Sequence, residues 1–172
     1  METLKSVIRD IPDFPKEGII FKDITPLLSN PASFKKAIDT LKARYEDKRI
    51  DRVVGVEARG FIFASALAYA LDCGVVMVRK PGKLPYKTYK KTYSLEYGED
   101  SIEVHQDAFE KGQNIVIIDD VLATGGTLAA CAELVNKNFE VDLVEVGFLI
   151  EFDFLKGRQK LGNIPIYSMM HF

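Results

Sequence analysis

The chain has 172 residues, 47% of them hydrophobic and 28% charged, with a formal net charge of −2. This length and composition predict a single globular domain over residues 1–172, with a core of substantial size. The weakly acidic balance argues against binding to nucleic acid or to a membrane surface, because proteins of both kinds usually carry a basic excess.

The cysteines and the N-terminal residues bear on the cellular compartment. Cys73 and Cys131 lie among apolar residues without the spacing of a zinc site, so we expect both to be reduced. METLKSVIRD at the N-terminus lacks the apolar region of a signal peptide, and no apolar run approaches the roughly 20 residues of a membrane span. We therefore expect a soluble, cytoplasmic protein.

The first predicted elements are a helix, a strand, an apolar helix and a second strand. An Asn-Pro pair is typical of a helix start and predicts a helix over 31–47. RVVGV at 52–56 is a short apolar strand, EARG leads into an apolar helix over 61–73 that should be buried, and VVMV at 75–78 is another strand. This alternation predicts an α/β fold with a central, mostly parallel sheet flanked by helices.

A basic segment interrupts the alternation. RKPGKLPYKTYKK, residues 79–91, carries six basic residues and no acid. It is either functional or a plain solvated charge run, since long loops in compact domains are more often functional or disordered than structural. TYSLEYG and SIEVHQ after it resemble the strands of a hairpin, with Gly98, Glu99 and Asp100 in its turn.

The strand-helix pattern then returns with two acids in it. The strand Ile115–Ile118 is followed by Asp119 and Asp120, the turn TGGT, the helical segment TLAACAELV and a further strand at 141–150. Because parallel sheets bind ligands beyond the carboxyl ends of their strands, EARG and DDVLATGGT should face one cleft.

The glycine turn and the acid pair together predict a phosphorylated sugar as the ligand. Gly125 and Gly126 let a ligand approach the backbone, and free amides at the start of the next helix suit an anion such as phosphate. Adjacent carboxylates would repel that phosphate, so they should accept hydrogen bonds from vicinal sugar hydroxyls instead. The alternatives are a plain connection, or one Asp that caps the helix beside one that is solvated. No Walker lysine follows, which argues against a nucleoside-triphosphate loop.

The segment IVIIDDVLATGGT resembles the phosphoribosyl-diphosphate-binding motif of type I phosphoribosyltransferases. DFPKEGIIFKDITPLL, VGVEARGF, VRKPGKLP and YSLEYG extend the resemblance over almost the entire chain and narrow it to members that act on adenine. It implies the type I fold, with a small N-terminal hood over roughly 1–30, a core over roughly 50–150 and a flexible loop or hairpin. It also implies transfer of phosphoribose from its 1-diphosphate to adenine, which gives AMP and diphosphate.

The same resemblance assigns roles to individual residues. Asp119 and Asp120 hold the ribose hydroxyls, and Glu96 manages a proton on the purine, while positive charge develops on the sugar as in glycoside hydrolysis. The residues assigned to the 5-phosphate are Ala123, Thr124, Gly125, Gly126 and Thr127. Those assigned to the diphosphate are Ala58, Arg59, Gly60, Arg79, Lys80 and Lys83. Those assigned to adenine are Ile20, Phe21, Lys22, Tyr97 and Val121.

A cofactor, a partner and a lid are implied as well. Mg²⁺ would be held mainly by the diphosphate of the donor, without a cluster of protein ligands, and would neutralise its oxygens. The protein would be a homodimer in which a neighbouring subunit supplies some of the basic residues. A lid over Leu84–Thr92, mobile without ligand, would keep water from the activated sugar.

Several residues admit a second interpretation. Arg59 could pair with Glu57 at the end of a strand, and Glu96 could be a surface acid. Ile20 and Phe21 could belong to the core. Lys22 stands where many members of the family carry arginine, and lysine lacks the planar guanidinium.

Two other functions compete with transfer to adenine. One is a phosphoribosyltransferase for xanthine, hypoxanthine or guanine, since the aspartates read the sugar and not the base. The other is a ligand sensor without catalysis. The roughly fifty residues before the first core strand resemble the hood of the enzymes and not a helix-turn-helix, which argues against the sensor.

Overall fold

A five-stranded parallel sheet forms the centre of the structure, a computed structural model that describes residues 2–94 and 98–172. In chain order the strands of the protein are β1 (Arg9–Pro12), β2 (Ile20–Asp23), β3 (Arg52–Val56), β4 (Gly74–Val78), β5 (Thr88–Ser94), β6 (Glu99–His105), β7 (Asn114–Leu122), β8 (Asp142–Glu151) and β9 (Ile166–His171). The central sheet has the order β4-β3-β7-β8-β9, and every neighbouring pair in it is parallel.

Helices cover both faces of this sheet. They are α1 (Glu2–Lys5), α2 (Thr25–Ser29), α3 (Pro31–Tyr45), α4 (Gly60–Ala70), α5 (Gly126–Asn138) and α6 (Arg158–Leu161), with 3₁₀ turns at Glu46–Lys48 and Asp153–Leu155. The predicted α/β class with a mostly parallel sheet is confirmed. Within the described residues, no helix has both the length and the hydrophobicity to cross a membrane.

The central strand β7 is buried on both faces. Val116 and Ile118 belong to a cluster packed with α3 and α4, whereas Ile115 and Ile117 belong to the cluster packed with α5 and the β5–β6 hairpin. This double burial explains the continuous apolar run in the sequence, since a central strand of a parallel sheet that is covered by helices on both sides has no solvent face.

The sequence pattern predicted that the strand ends at Ile118, but it extends four residues further. β7 continues through both aspartates to Leu122 because β8 is long enough to pair with it that far, with Asp119 opposite Phe148 and Leu122 opposite Glu151. The two acids therefore lie on a rigid strand and not in a turn.

The predicted helix after EARG is shorter and less buried than expected. It ends at Ala70, and only the side that packs on the sheet, including Phe63, Ala64 and Leu67, is buried. Tyr69 is 90% exposed. The predicted burial is therefore found on one side of the helix and not all round it, because the sheet lies on that side only.

The basic segment leads into an antiparallel hairpin. β5 pairs with β6 in a register that places Tyr93 opposite Asp100 and Ser94 opposite Glu99. The prediction that Glu99 and Asp100 lie in the turn was therefore wrong, because the alternating strand pattern extends through them.

Residues 1–30 contain a small sheet that the sequence analysis did not predict. β1 and β2 are antiparallel, and their ladder is flanked by ion pairs between Arg9 and Asp23 at 2.6 Å and between Lys22 and Asp10 at 2.7 Å. β2 brings the segment Ile20–Lys22 to the cleft at the carboxyl ends of the central strands. The central five-stranded sheet includes β9, which lies beyond the predicted core of 50–150.

Candidate active site

A cleft of about 370 Å³ lies where β3 and β7 end and β2 passes over them. The sheet order explains it, because adjacent parallel strands deliver their following segments to the same edge. The predicted site residues that line this cleft are Ile20, Phe21, Lys22, Ala58, Arg59, Lys80, Asp119, Asp120, Val121, Ala123 and Thr127.

The two aspartates form the floor of the cleft. Asp120 is only 4% exposed, and its Oδ2 lies 2.8 Å from Nε of Arg59 without a hydrogen bond from any described residue. Burial raises the pKa of Asp119 well above its ordinary value, and the charge of Asp120 raises it further. Burial also raises the pKa of Asp120, while Arg59 opposes the rise. The pair therefore offers buried acceptor oxygens to a ligand with hydroxyl donors.

The turn Ala123–Thr127 forms a separate recess of about 100 Å³ beside the aspartates. Gly125 has φ = +78°, a left-handed conformation that favours glycine, and α5 begins at the next residue. The residues at this helix start line one small volume, and the free amides of a helix start suit an anion. The five residues predicted to bind the 5-phosphate thus lie together.

Gly157 supports this recess from behind, and the sequence analysis missed it. A Cβ on Gly157 would overlap the carbonyl oxygen of Ala123, and a Cβ on Gly125 would overlap the carbonyl oxygen of Gly157. Lys160 follows on α6, with its Nζ 4.0 Å from the position of a Cβ on Gly126. Neither residue has a local signal, because each matters only through a contact distant in sequence.

Gly157→Ala is expected to weaken phosphate binding in the recess without straining the φ of residue 157. The φ of Gly157 is −57°, which alanine adopts freely, so the added methyl acts by displacing the Ala123 carbonyl and the Leu122 side chain. Overpacking of this kind costs about 1–3 kcal/mol of stability, and calorimetry should show weaker binding of ribose 5-phosphate. Gln159→Ala, exposed on the same helix, serves as the control. Unchanged binding in Gly157→Ala would contradict the supporting role.

Glu57 organises the start of the basic segment. Its carboxylate accepts hydrogen bonds from the Lys80 amide at 2.8 Å, from Nε of Arg79 at 3.3 Å and from Nζ of Lys83. Burial opposes ionisation of Glu57, but the hydrogen bonds from Lys83 and Lys80 hold its pKa below the ordinary value. The alternative pairing of Glu57 with Arg59 is wrong, since Arg59 is turned to Asp120.

The predicted diphosphate residues therefore divide into two groups. Ala58, Arg59 and Lys80 line the cleft, whereas Arg79 and Lys83 are engaged by Glu57 at its margin. Gly60 lies behind the cleft, where a Cβ would come within 2.8 Å of Oδ1 of Asp119. Glycine at this position lets the start of α4 approach the aspartate closely.

The predicted base-binding residues meet at the hood side of the cleft. The Phe21 ring lies edge-on to Phe14 at 5.2 Å, and the Arg59 guanidinium carbon is 5.5 Å from its centre. Ile20 is 58% exposed, which rules out the alternative of a core position for this residue. The Lys22 ammonium is paired with Asp10. Val121 completes the wall, while Glu96 and Tyr97 lie outside the described residues.

Fold and site together define a phosphoribosyltransferase domain. The sheet delivers two acids and a glycine-lined anion recess to one edge, and residues 23–160 match the model of the phosphoribosyl transferase domain family. The resemblance to the type I enzymes is thereby confirmed.

Similar proteins narrow the class. A curated relative from Geotalea daltonii is 59% identical over all of both chains, and one from Syntrophotalea carbinolica is 57% identical over all of both; each is named adenine phosphoribosyltransferase. A crystal structure of the Thermoanaerobacter pseudethanolicus adenine phosphoribosyltransferase superposes with a TM-score of 0.95 at 49% identity, with 99% of each chain covered. The chain belongs to the adenine phosphoribosyltransferase family.

Two further solved structures were determined with ligands. The Saccharomyces cerevisiae adenine phosphoribosyltransferase, complexed with an imino-altritol bisphosphate and adenine, has a TM-score of 0.93 and 46% identity, with 98% of this chain and 97% of that chain covered. A protein from Trypanosoma brucei, crystallised with AMP, pyrophosphate and ribose-5-phosphate, has a TM-score of 0.90 at 28% identity, with 99% of this chain and 78% of that chain covered.

Proposed function

We propose that the protein is a pentosyltransferase that moves the 5-phosphoribosyl group from 5-phospho-α-D-ribose 1-diphosphate to adenine, yielding AMP and diphosphate. The observation that carries this proposal is the position of Asp119 and Asp120 between an anion recess on one side and Arg59 and Lys80 on the other. A donor with a phosphate at one end, a diol in the middle and a diphosphate at the other end matches this order: an anion recess, two carboxylates and two cationic side chains.

The geometry suggests how the reaction proceeds. Amides of the Ala123–Thr127 turn hold the 5-phosphate, and the aspartates accept hydrogen bonds from the two ribose hydroxyls. The bond between the anomeric carbon and diphosphate then breaks as an adenine nitrogen forms its bond to that carbon. Negative charge near the ring stabilises the positive charge that develops on the sugar. Glu96 receives or holds the proton that the purine must lose.

The base site is proposed on the hood side of the cleft. Phe21 and Val121 offer apolar surface to a flat ring, and the backbone from Ile20 to Lys22 offers polar groups to its edge. Because the Lys22 ammonium is paired with Asp10, we assign base recognition there to the backbone and not to the charge. Tyr97 is retained as a base-binding residue on the resemblance alone.

Mg²⁺ fits this site as a partner of the substrate. Glu57 is already bonded to cations, and Asp120 lies against Arg59, so the acids around the cleft are poorly suited to hold a metal by themselves. A triad of Glu151, Asp153 and His171 lies close together outside the cleft lining. When bound, the metal supplies charge neutralisation at the departing diphosphate.

A homodimer in the cytoplasm is also part of the proposal. The edge strand β4 leaves Val75 and Met77 44% and 47% exposed, and apolar surface on an edge strand favours association with a second copy. Arg79 and Lys83 would then face the diphosphate from either subunit. Cys73 and Cys131 are both free thiols, which is in keeping with a reducing compartment.

The direct test is an assay with the purified protein, Mg²⁺, the phosphoribosyl donor and a panel of purine bases. AMP and diphosphate should form with adenine, far faster than the corresponding nucleotides from hypoxanthine, guanine or xanthine. An equal rate with another base would show that adenine is not the specific substrate. Binding of the donor without any product would favour the sensor over the enzyme.

Limited proteolysis tests the lid. Without ligand, we expect cleavage within Leu84–Thr92, and with Mg²⁺ and the donor that cleavage should slow as the segment closes over the cleft. Thr88–Thr92 belongs to β5, so the hairpin should move as a unit with the loop before it. Identical cleavage with and without donor would contradict a lid.

A further inference from the structure

Four polar side chains connect the two phosphate-binding ends of the cleft. The Tyr93 hydroxyl lies 3.1 Å from the Thr127 hydroxyl and donates to the Asp100 carboxylate at 3.2 Å. The same carboxylate oxygen is bonded to the ammonium of Lys80. Thr127 belongs to the recess proposed for the 5-phosphate and Lys80 to the diphosphate end, so the contacts join both ends through the hairpin.

The hairpin register explains why these groups meet. Tyr93 and Asp100 are direct partners across β5 and β6, and both are half-buried. β5 packs on α5, and the first residues of α5 line the recess. A displacement of the hairpin would therefore move Asp100 and the contact to Thr127 together.

The direction of the hydrogen bonds is set by the chemistry of the groups. An ionised carboxylate can only accept, so the single proton of the Tyr93 hydroxyl goes to Asp100, and Thr127 must donate to the tyrosine oxygen. The hydrogen bond and charge of Lys80 keep the pKa of Asp100 below its ordinary value, which maintains the acceptor role.

We propose that Asp100 and Tyr93 are positioning residues that hold Lys80 toward the cleft and couple its position to occupancy of the phosphate recess. The inference rests on the proposed function. When a phosphate binds, the Thr127 proton turns to the phosphate and the Tyr93 proton turns to Thr127. The Asp100 oxygen then accepts a hydrogen bond from Lys80 and no longer from Tyr93. It therefore holds the lysine side chain more firmly at the place where the diphosphate binds. Ribose 5-phosphate and diphosphate should therefore bind with positive coupling.

The effect of Asp100 should appear in affinity for the diphosphate end. A lysine side chain freed from its partner regains rotamer freedom, and ordering it again weakens binding by roughly tenfold. Asp100→Asn should therefore raise the KM for the donor and the Kd for Mg²⁺-diphosphate by roughly tenfold, while kcat and the Kd for ribose 5-phosphate alone stay unchanged.

Tyr93→Phe tests the coupling, because it removes only the hydroxyl. Ribose 5-phosphate alone should bind as in the wild type. Diphosphate alone should already bind as tightly as it binds to wild-type protein saturated with ribose 5-phosphate, because Asp100 is free of the tyrosine proton, and prior saturation with ribose 5-phosphate should tighten it no further. Ser101→Ala is the matched control, since it removes a hydrogen bond to Thr92 in the same hairpin without touching the four groups. It should behave as the wild type.

A double-mutant cycle separates positioning from general support of the fold. In a Lys80→Met background, Asp100→Asn should have no further effect on diphosphate binding, since its partner is gone. An equal loss in that background, tighter diphosphate binding in Asp100→Asn, or coupling that survives in Tyr93→Phe would overturn the proposal. If Asp100→Asn does not fold, the Tyr93→Phe coupling measurement decides alone. A wild-type protein that binds neither ligand would sink the proposed function instead.

Discussion

Asp119→Asn and Asp120→Asn are each expected to lower kcat/KM for the donor by roughly 10²-fold. Hydrogen bonds to a charged acceptor contribute about 1.5–3 kcal/mol, and asparagine presents one neutral acceptor and one donor where two hydroxyls need acceptors. The negative charge that stabilises the cationic sugar is lost as well. Steady-state kinetics with varied donor measures the effect.

Asp119→Asn should lower activity but raise the stability of the folded protein. The pKa of Asp119 is raised in the folded protein by burial and by Asp120, so between the unfolded and the folded pKa the folded state binds more protons. The free energy of unfolding therefore falls as pH rises through that window. Asp119→Asn removes the buried charge, and its melting temperature should exceed that of the wild type above the window.

Thermal unfolding over a pH series checks this sign. Asp107→Asn, which alters an exposed acid, should follow the wild-type curve and keep full activity. Asp119→Asn should be more stable and less active at neutral pH. A variant that lost stability and kept turnover would show that the buried carboxylate is structural.

Glu96→Gln is expected to lower kcat by roughly 10²- to 10⁴-fold, the usual contribution of a general acid or base. The purine must lose a proton as its nitrogen bonds to the sugar, and glutamine cannot accept it. The strands β5 and β6 contact the recess residue Thr127 through Tyr93 and the cleft residue Lys80 through Asp100, so the described residues before and after position 96 lie near the proposed reacting atoms.

The pH dependence gives a second readout for Glu96. If its carboxylate must be ionised, the acidic limb of the kcat profile should disappear in Glu96→Gln while the KM for the donor changes little. Glu99→Gln changes an exposed acid at the start of β6 and should leave the profile intact. Full turnover in Glu96→Gln would reduce this residue to a surface acid.

The central part of the fold and site is readable from sequence because its signals are local. β7 is a continuous apolar run since both its faces are covered, and the recess follows from glycines next to a helix start. Asp119 and Asp120 stand out because a carboxylate is costly to bury in an apolar strand unless it has a partner. Gly125 adopts the left-handed conformation that its residue type suggests.

The remaining features depend on contacts between distant segments. Gly157 matters only because the recess lies against it, and Glu57 takes Lys83 in preference to the nearby Arg59 because the basic segment folds back. The length of β7 is set by its partner β8. Asp100 was assigned to a turn, yet its pairing with Tyr93 gives it a partner in Lys80. A single sequence carries no local mark of these pairings.

A crystal structure of the protein with AMP tests the central claim most directly. We predict the phosphate within hydrogen-bond distance of the amides of Ala123–Thr127, and both ribose hydroxyls on the carboxylates of Asp119 and Asp120. A nucleotide bound elsewhere, or one whose hydroxyls face solvent while the aspartates contact only protein, would contradict the account.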